Sequence, residues 1–214
     1  MSTCCCDGLK GQFDRATADR ELARYRKKGP PRTTQLLIDC LRDAGVAGCT
    51  LIDIGGGIGA IHHELLDLGA SRATHVDVSA DYLRAAETEA SRRNHTERVQ
   101  FMLGDFVELA YSLPAADIVT LDRVVCCYPD MEMLIASAAG RARRVIGLVY
   151  PRDVWWVQVA VSIVNGWKRL QRSSFRVFVH APDAIDARLR TLGFERRRMQ
   201  RTLAWEVAVY ITAT

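Results

Sequence analysis

No stretch of about 18 consecutive apolar residues occurs in the 214 residues, which excludes a helical membrane span. The opening MSTCCCDGLKGQFD lacks the basic-then-apolar layout of a secretory leader, so the expected address is the cytoplasm. Zinc-type pairs of spaced cysteines are also missing. Of the seven cysteines, Cys4, Cys5 and Cys6 are contiguous, as are Cys126 and Cys127. Neighbours in extended chain point to opposite sides, so no metal site is expected. An odd thiol count without a leader argues against a disulfide framework, and Cys40 and Cys49 read as small buried hydrophobes. There is no internal repeat and no low-complexity tract. The formal charge is only +4, and the basic clusters GRARR (140–144) and ERRR (195–198) read as solvated faces, so no nucleic acid is expected as partner.

What remains is a composition 49% hydrophobic and 25% charged, that of one globular domain with a real core. Residues 1–33 read as a helical lid or tail, 34–150 as a first half, 151–180 as an insertion and 181–214 as a closing helix with strands. Helical patterns run over 12–28, ended by Gly29 and two prolines, and over Thr34 to Ala44. Short apolar runs then alternate with helices: CTLIDI, a helix to Leu68, ATHVDV, a helix over 80–93, VQFML, ADIVTL, a helix over 130–140, RVIGLVY. That alternation signifies βαβ units and a mostly parallel, doubly wound sheet. The last two strands, ERRRMQ and LAWEVAVYI, are joined by a short turn that only antiparallel neighbours permit, so the final strand should run against the rest.

The stretch TLIDIGGGIGAIHHELL places four glycines in five residues between a strand and a helix. In a doubly wound sheet this first turn approaches the ligand most closely, and a Cβ would block that approach. Gly55, Gly57 and Ala60 also satisfy the dinucleotide pattern G-x-G-x-x-G/A, so the glycines alone leave the ligand open. The surroundings narrow it: Asp53 precedes them, Asp77 ends the second apolar run in HVDVS, and Asp105 with Phe106 follows the third in LGDF.

Together these resemble the motifs of class I S-adenosylmethionine-dependent methyltransferases, over about residues 34–214. The resemblance implies a Rossmann-like α/β fold with seven strands and S-adenosylmethionine as cofactor. It implies that Asp53, Gly55, Gly57 and Gly59 form the turn at its amino-acid end, that Asp77 accepts its ribose hydroxyls, and that Asp105 and Phe106 meet its adenine. FDRATADRELARYRKKGPPRTT, LDRVVCCYPDMEML, VYPRD and FVHAPDAI look like a small bacterial branch loosely similar to magnesium-protoporphyrin O-methyltransferases. In such enzymes the segment before the first strand folds over the cofactor, which makes Tyr25 a contact candidate; an exposed helix residue is the alternative.

Methyl transfer from a sulfonium is an in-line displacement that needs alignment, and a general base only when the acceptor must lose a proton. The loop LDRVVCCYPD after the fourth strand should border the methyl. Asp122, Tyr128 and His180 are the candidate catalytic groups, Arg123 the partner of an anionic substrate, and Cys126 and Cys127 pocket lining. His62 and His63 fall outside the helical face formed by Ile58, Ile61, Leu65 and Leu68 and are expected to be half-exposed. VWWVQVAVSIVNGW (154–167) is apolar nearly all round, with Gln158, Ser162 and Asn165 as a narrow polar stripe. A buried helix, a cap over the crevice and a membrane-surface helix are its three readings. Trp155 on it is the candidate substrate contact. The expected acceptor is a small apolar or aromatic molecule. The alternatives are RNA or protein methylation, metalloid or thiol methylation involving Cys4 to Cys6, and a cofactor-binding protein without turnover.

Overall fold

The computed structural model describes residues 14–213. Two helices lead: α1, Arg15–Lys28, is capped by the Asp14 side chain accepting the Thr17 N–H, and α2, Arg32–Ala44, ends at Gly45 with positive φ. The alternating runs then form β1 (Thr50–Ile54), α3 (Ala60–Asp67), β2 (Arg72–Asp77), α4 (Ala80–Arg92), β3 (Val99–Leu103), the single turn α5 (Phe106–Leu109), β4 (Ala116–Asp122), α6 (Met131–Ala139) and β5 (Ala142–Pro151). The helix α7, Trp155–Leu170, precedes α8 (Pro182–Thr191), β6 (Phe194–Arg201) and β7 (Trp205–Thr212).

The strands make one seven-stranded sheet in the order β3-β2-β1-β4-β5-β7-β6. Ile52 sits opposite Thr74 on one side and Val119 on the other, both in parallel register. β7 inserts antiparallel between β5 and β6, as the short connection required. Alternate side chains build two cores. Ile52, Val119 and Ile146 pack under α6 and α8, while Leu51, Ile118 and Val145 pack under α2 and α3.

The chain winds outward from β1 to β3 and then jumps back to β4 on the other side of β1. That reversal opens a crevice at the carboxyl ends of β1 and β4, where doubly wound sheets bind ligands.

Two expectations fail. His62 and His63 are fully buried, because both sides of α3 are covered: β2 and β3 bring His75 and Phe101 against His62, and α4 with His95 packs against His63. The 154–167 segment is not a buried helix, since Val157 is the sole buried residue of α7. Cys4, Cys5 and Cys6 lie outside the described residues.

Candidate active site

A cavity of about 440 Å3 opens at the carboxyl ends of four strands. Each strand delivers its exit residues to the wall: Gly55 and Gly57 after β1, Asp77 at the end of β2, Asp105 and Phe106 after β3, and Asp122 and Arg123 from β4. Its size suits a small organic ligand.

The glycine turn works by conformation and by close approach. Gly57 holds φ +56, and its N–H donates to Asp77 Oδ2 at 2.9 Å. A Cβ on Gly56 would come within 2.6 Å of His75 Nδ1 and 2.8 Å of Asp53 Oδ2. The turn therefore lies directly on a polar floor. Gly59, at φ +83, caps the start of α3 and is absent from the cavity wall.

Asp77 accepts the Ser79 N–H on Oδ1 at 2.8 Å as well as the Gly57 N–H on Oδ2. Each oxygen keeps a second lone pair for a hydroxyl donor. Burial drives its pKa up to about 6 against those two hydrogen bonds. Asp105 accepts the Val107 N–H at 2.9 Å and the Tyr128 hydroxyl at 3.3 Å, which fixes it beside buried Phe106. Asp122 accepts the Thr34 hydroxyl and pairs with Arg123 at 3.2 Å; Arg123 itself holds φ 61.

Asp53 stands beneath the turn, fully buried, with Oδ1 accepting the Thr120 hydroxyl at 2.8 Å and Oδ2 lying 3.1 Å from His62 Nδ1. His75 Nδ1 lies 3.3 Å from His62 Nδ1. Burial pushes the pKa of His62 and His75 down to about 3 and that of His63 to about 2, and raises that of Asp53. Asp53, His62 and His75 bring donor atoms within 4.8 Å of one another, a set that could also hold a cation. Its contact with the turn is from below.

Besides Asp53 and Gly59, three candidate residues stand away from the main cavity wall. Tyr25 is buried, which removes the exposed-residue reading; its hydroxyl donates to Glu64 at 2.6 Å, and it borders a smaller adjoining cavity with Asp53 and the turn. His180 Nε2 meets the Tyr128 carbonyl at 2.9 Å, so it braces the loop that carries Tyr128. Trp155 is 76% exposed.

The lining includes residues that sequence reasoning missed: Glu21 from α1, Tyr82 from α4, Val177 and Trp205. Cys126 and Cys127 line it as expected, with their sulfurs 3.8 Å apart. The contact between the two sulfurs raises the pKa of Cys126 and lowers that of Cys127. Among the described lining residues, Glu21, Asp77, Asp105 and Asp122 face one cation, Arg123. Such a wall favours a cationic ligand over a dinucleotide pyrophosphate.

Comparison with known proteins agrees with this geometry. Residues 52–144 match the family described as "Methyltransferase domain". Ribosomal protein L11 methyltransferase of Serratia proteamaculans is 35% identical over 75 residues, 35% of this chain and 26% of that protein. Its Psychrobacter sp. counterpart is 30% identical over 104 residues, 47% of this chain and 33% of that protein. The chain thus spans about a quarter to a third of the length of these curated relatives. Among solved structures, magnesium protoporphyrin IX methyltransferase from Synechocystis PCC 6803 with bound SAH superposes with a TM-score of 0.74 at 18% identity, covering 96% of this chain and 98% of that one. An O-methyltransferase family protein from Burkholderia thailandensis gives 0.69 at 17% identity, covering 95% and 61%. Residues 52–144 thus match a methyltransferase domain, and the seven-stranded fold is the one seen in these solved methyltransferases.

Proposed function

We propose that the protein binds S-adenosylmethionine in the strand-end cavity and transfers its methyl group to a small apolar or aromatic acceptor. One observation carries this reading. The glycine turn, Asp77 and the Asp105–Phe106 pair share a single cavity with Val177, Trp205, Cys126 and Tyr128. The donor set fits the cofactor: a Cβ-free cradle, a carboxylate with spare lone pairs for a diol, and an acidic wall for a sulfonium.

S-adenosylmethionine supplies an electrophilic methyl carbon on a positive sulfur. The chain's residues position and desolvate. Asp77 fixes the ribose and with it the methyl's direction, and Phe106 packs on the adenine. Val177 and Trp205 offer the acceptor an apolar surface that excludes water. When the acceptor carries a hydroxyl, Asp122 takes up its proton. A carboxylate or amine acceptor needs no such group, and Arg123 then orients an anionic one.

The test is calorimetric titration with S-adenosylmethionine, S-adenosylhomocysteine and NAD, followed by transfer of a labelled methyl group to small-molecule, protein and RNA fractions of a cell extract. Binding of the two sulfur compounds with label in the small-molecule fraction is the expected result. Label in protein favours the activity named for the L11 methyltransferases. NAD binding alone would sink the reading.

A further inference from the structure

The helix α7 presents its apolar side to the outside. Trp155, Val159, Ile163, Trp167 and Leu170 recur at i, i+4, i+8, i+12 and i+15 and cover an arc of about 120° at 3.6 residues per turn. Trp155 and Leu170 are each 76% exposed, Ile163 68% and Trp167 61%. An ordinary surface helix would turn this arc inward.

The inner side is fixed by polar contacts. Asn165 Nδ2 donates to the Val177 carbonyl at 2.8 Å, and the Val177 N–H donates back to Asn165 Oδ1 at 2.9 Å. With Val157 buried beneath, this clamp sets the rotation of the helix and so aims the arc outward. At its start, Arg152 Nη1 donates to the Leu203 carbonyl at 3.1 Å, which brings a turn bearing 79% exposed Leu203 beside the Trp155 end.

Charge identifies the occupant. From Val154 to Ala181 the chain carries Lys168, Arg169, Arg172 and Arg176 and no acidic residue. An anionic lipid surface complements both features, because interfacial helices combine a buried apolar arc with cations among the headgroups.

We propose that α7 is a membrane-surface helix that docks the protein on anionic lipid, with the arc from Trp155 to Leu170 in the headgroup–acyl boundary and the four cations beside the phosphates. The chain lies on the bilayer and does not cross it: no described helix is long and apolar enough to cross a membrane. This surface is independent of which acceptor the cavity takes.

The experiment is co-sedimentation of the full-length protein with vesicles of phosphatidylcholine, with and without phosphatidylglycerol, alongside tryptophan emission. Wild type should pellet with the anionic vesicles, shift its emission to the blue and be released by salt. The triple variant Ile163→Gln, Trp167→Gln, Leu170→Gln should partition at least about tenfold less. Its circular dichroism and S-adenosylmethionine affinity should be unchanged. Charge reversal at Lys168, Arg169 and Arg172 should abolish pelleting while leaving the apolar arc intact. Wild type that stays in solution with both vesicle types, or pellets equally with neutral ones, would overturn the proposal. So would a wild-type dimer that the triple variant converts to monomer.

Discussion

The Asp77 carboxylate accepts the Gly57 N–H at 2.9 Å and thereby ties the end of β2 to the turn after β1. The bond adds to the backbone hydrogen bond that the Gly55 N–H donates to the Val76 carbonyl at 2.7 Å. The carboxylate is also the group whose charge the diol of a bound nucleoside would read. With its pKa pushed up to about 6 by burial, it is ionised at neutral pH and gains a proton in mild acid. Cofactor affinity should therefore be flat above pH 7 and fall as pH drops through 6. The folding linkage has the opposite sign: burial penalises the ionised carboxylate, so ionisation of Asp77 removes stability as pH rises from 4 to 6. Calorimetry between pH 5 and 8 checks the binding limb. Asp77→Asn should weaken S-adenosylmethionine binding about tenfold or more, equivalent to about 1.4 kcal/mol, and abolish that pH dependence.

The two central glycines should fail for different reasons. Gly57→Ala forces a left-handed φ on a residue with a Cβ, at a cost of about 1–2 kcal/mol, with the new methyl in ordinary contact with Tyr82. It should fold with a lowered melting temperature and weakened cofactor binding. Gly56→Ala has no φ penalty but drives a methyl into His75 and Asp53, so it should lose far more stability. Thermal melts of both variants with and without cofactor separate the cases; equal destabilisation would contradict the contact geometry.

Acid should unfold the protein early. His62, His63 and His75 have folded pKa values near 3, 2 and 3, far below the ordinary 6.5, because burial excludes their charged forms. The unfolded chain therefore takes up protons first. Stability from these groups is complete above pH 6.5 and is lost as pH falls toward 3, with each proton contributing a slope of about 1.4 kcal/mol per pH unit. Denaturant midpoints should drop steeply below pH 6. Replacing His63 by Leu should flatten that slope, and an unchanged slope would show that the ring is already charged or hydrated.

The tryptophans divide by position. Trp205 lines the cavity and Trp155 does not. Trp205→Leu should raise the acceptor KM about tenfold, or about 1.4 kcal/mol, with cofactor affinity little changed. Trp155→Leu should leave turnover of a water-soluble acceptor alone. Steady-state kinetics on both variants decides it.

The sheet was legible because apolar runs and the glycine turn are local signals. Asp77, Asp105 and Phe106 follow directly on apolar runs in the sequence, and all three line the cavity. Trp205 and Glu21 gave no such signal, since they reach the crevice through an antiparallel strand and a preceding helix whose docking only the tertiary fold decides. His62 and His63 misled for a related reason. A single apolar stripe implies one covered side, yet α3 is covered on two. Conversely, the near-uniform apolarity of α7 suggested burial, and no local pattern distinguishes a helix covered by protein from one left open.

The outermost strand, β6, carries Glu195, Arg196, Arg197, Arg198 and Arg201 along an unpaired margin of the sheet. Arg196 and Arg198 are partly neutralised by Asp186 and Asp43, and the register shifts between them. Free backbone donors and acceptors on such a margin are a template onto which another chain can add a strand and begin a fibril. Here any newcomer must first bring its own backbone past a row of guanidinium groups and over an irregular step. The arginines thus form a fence along this margin of the sheet.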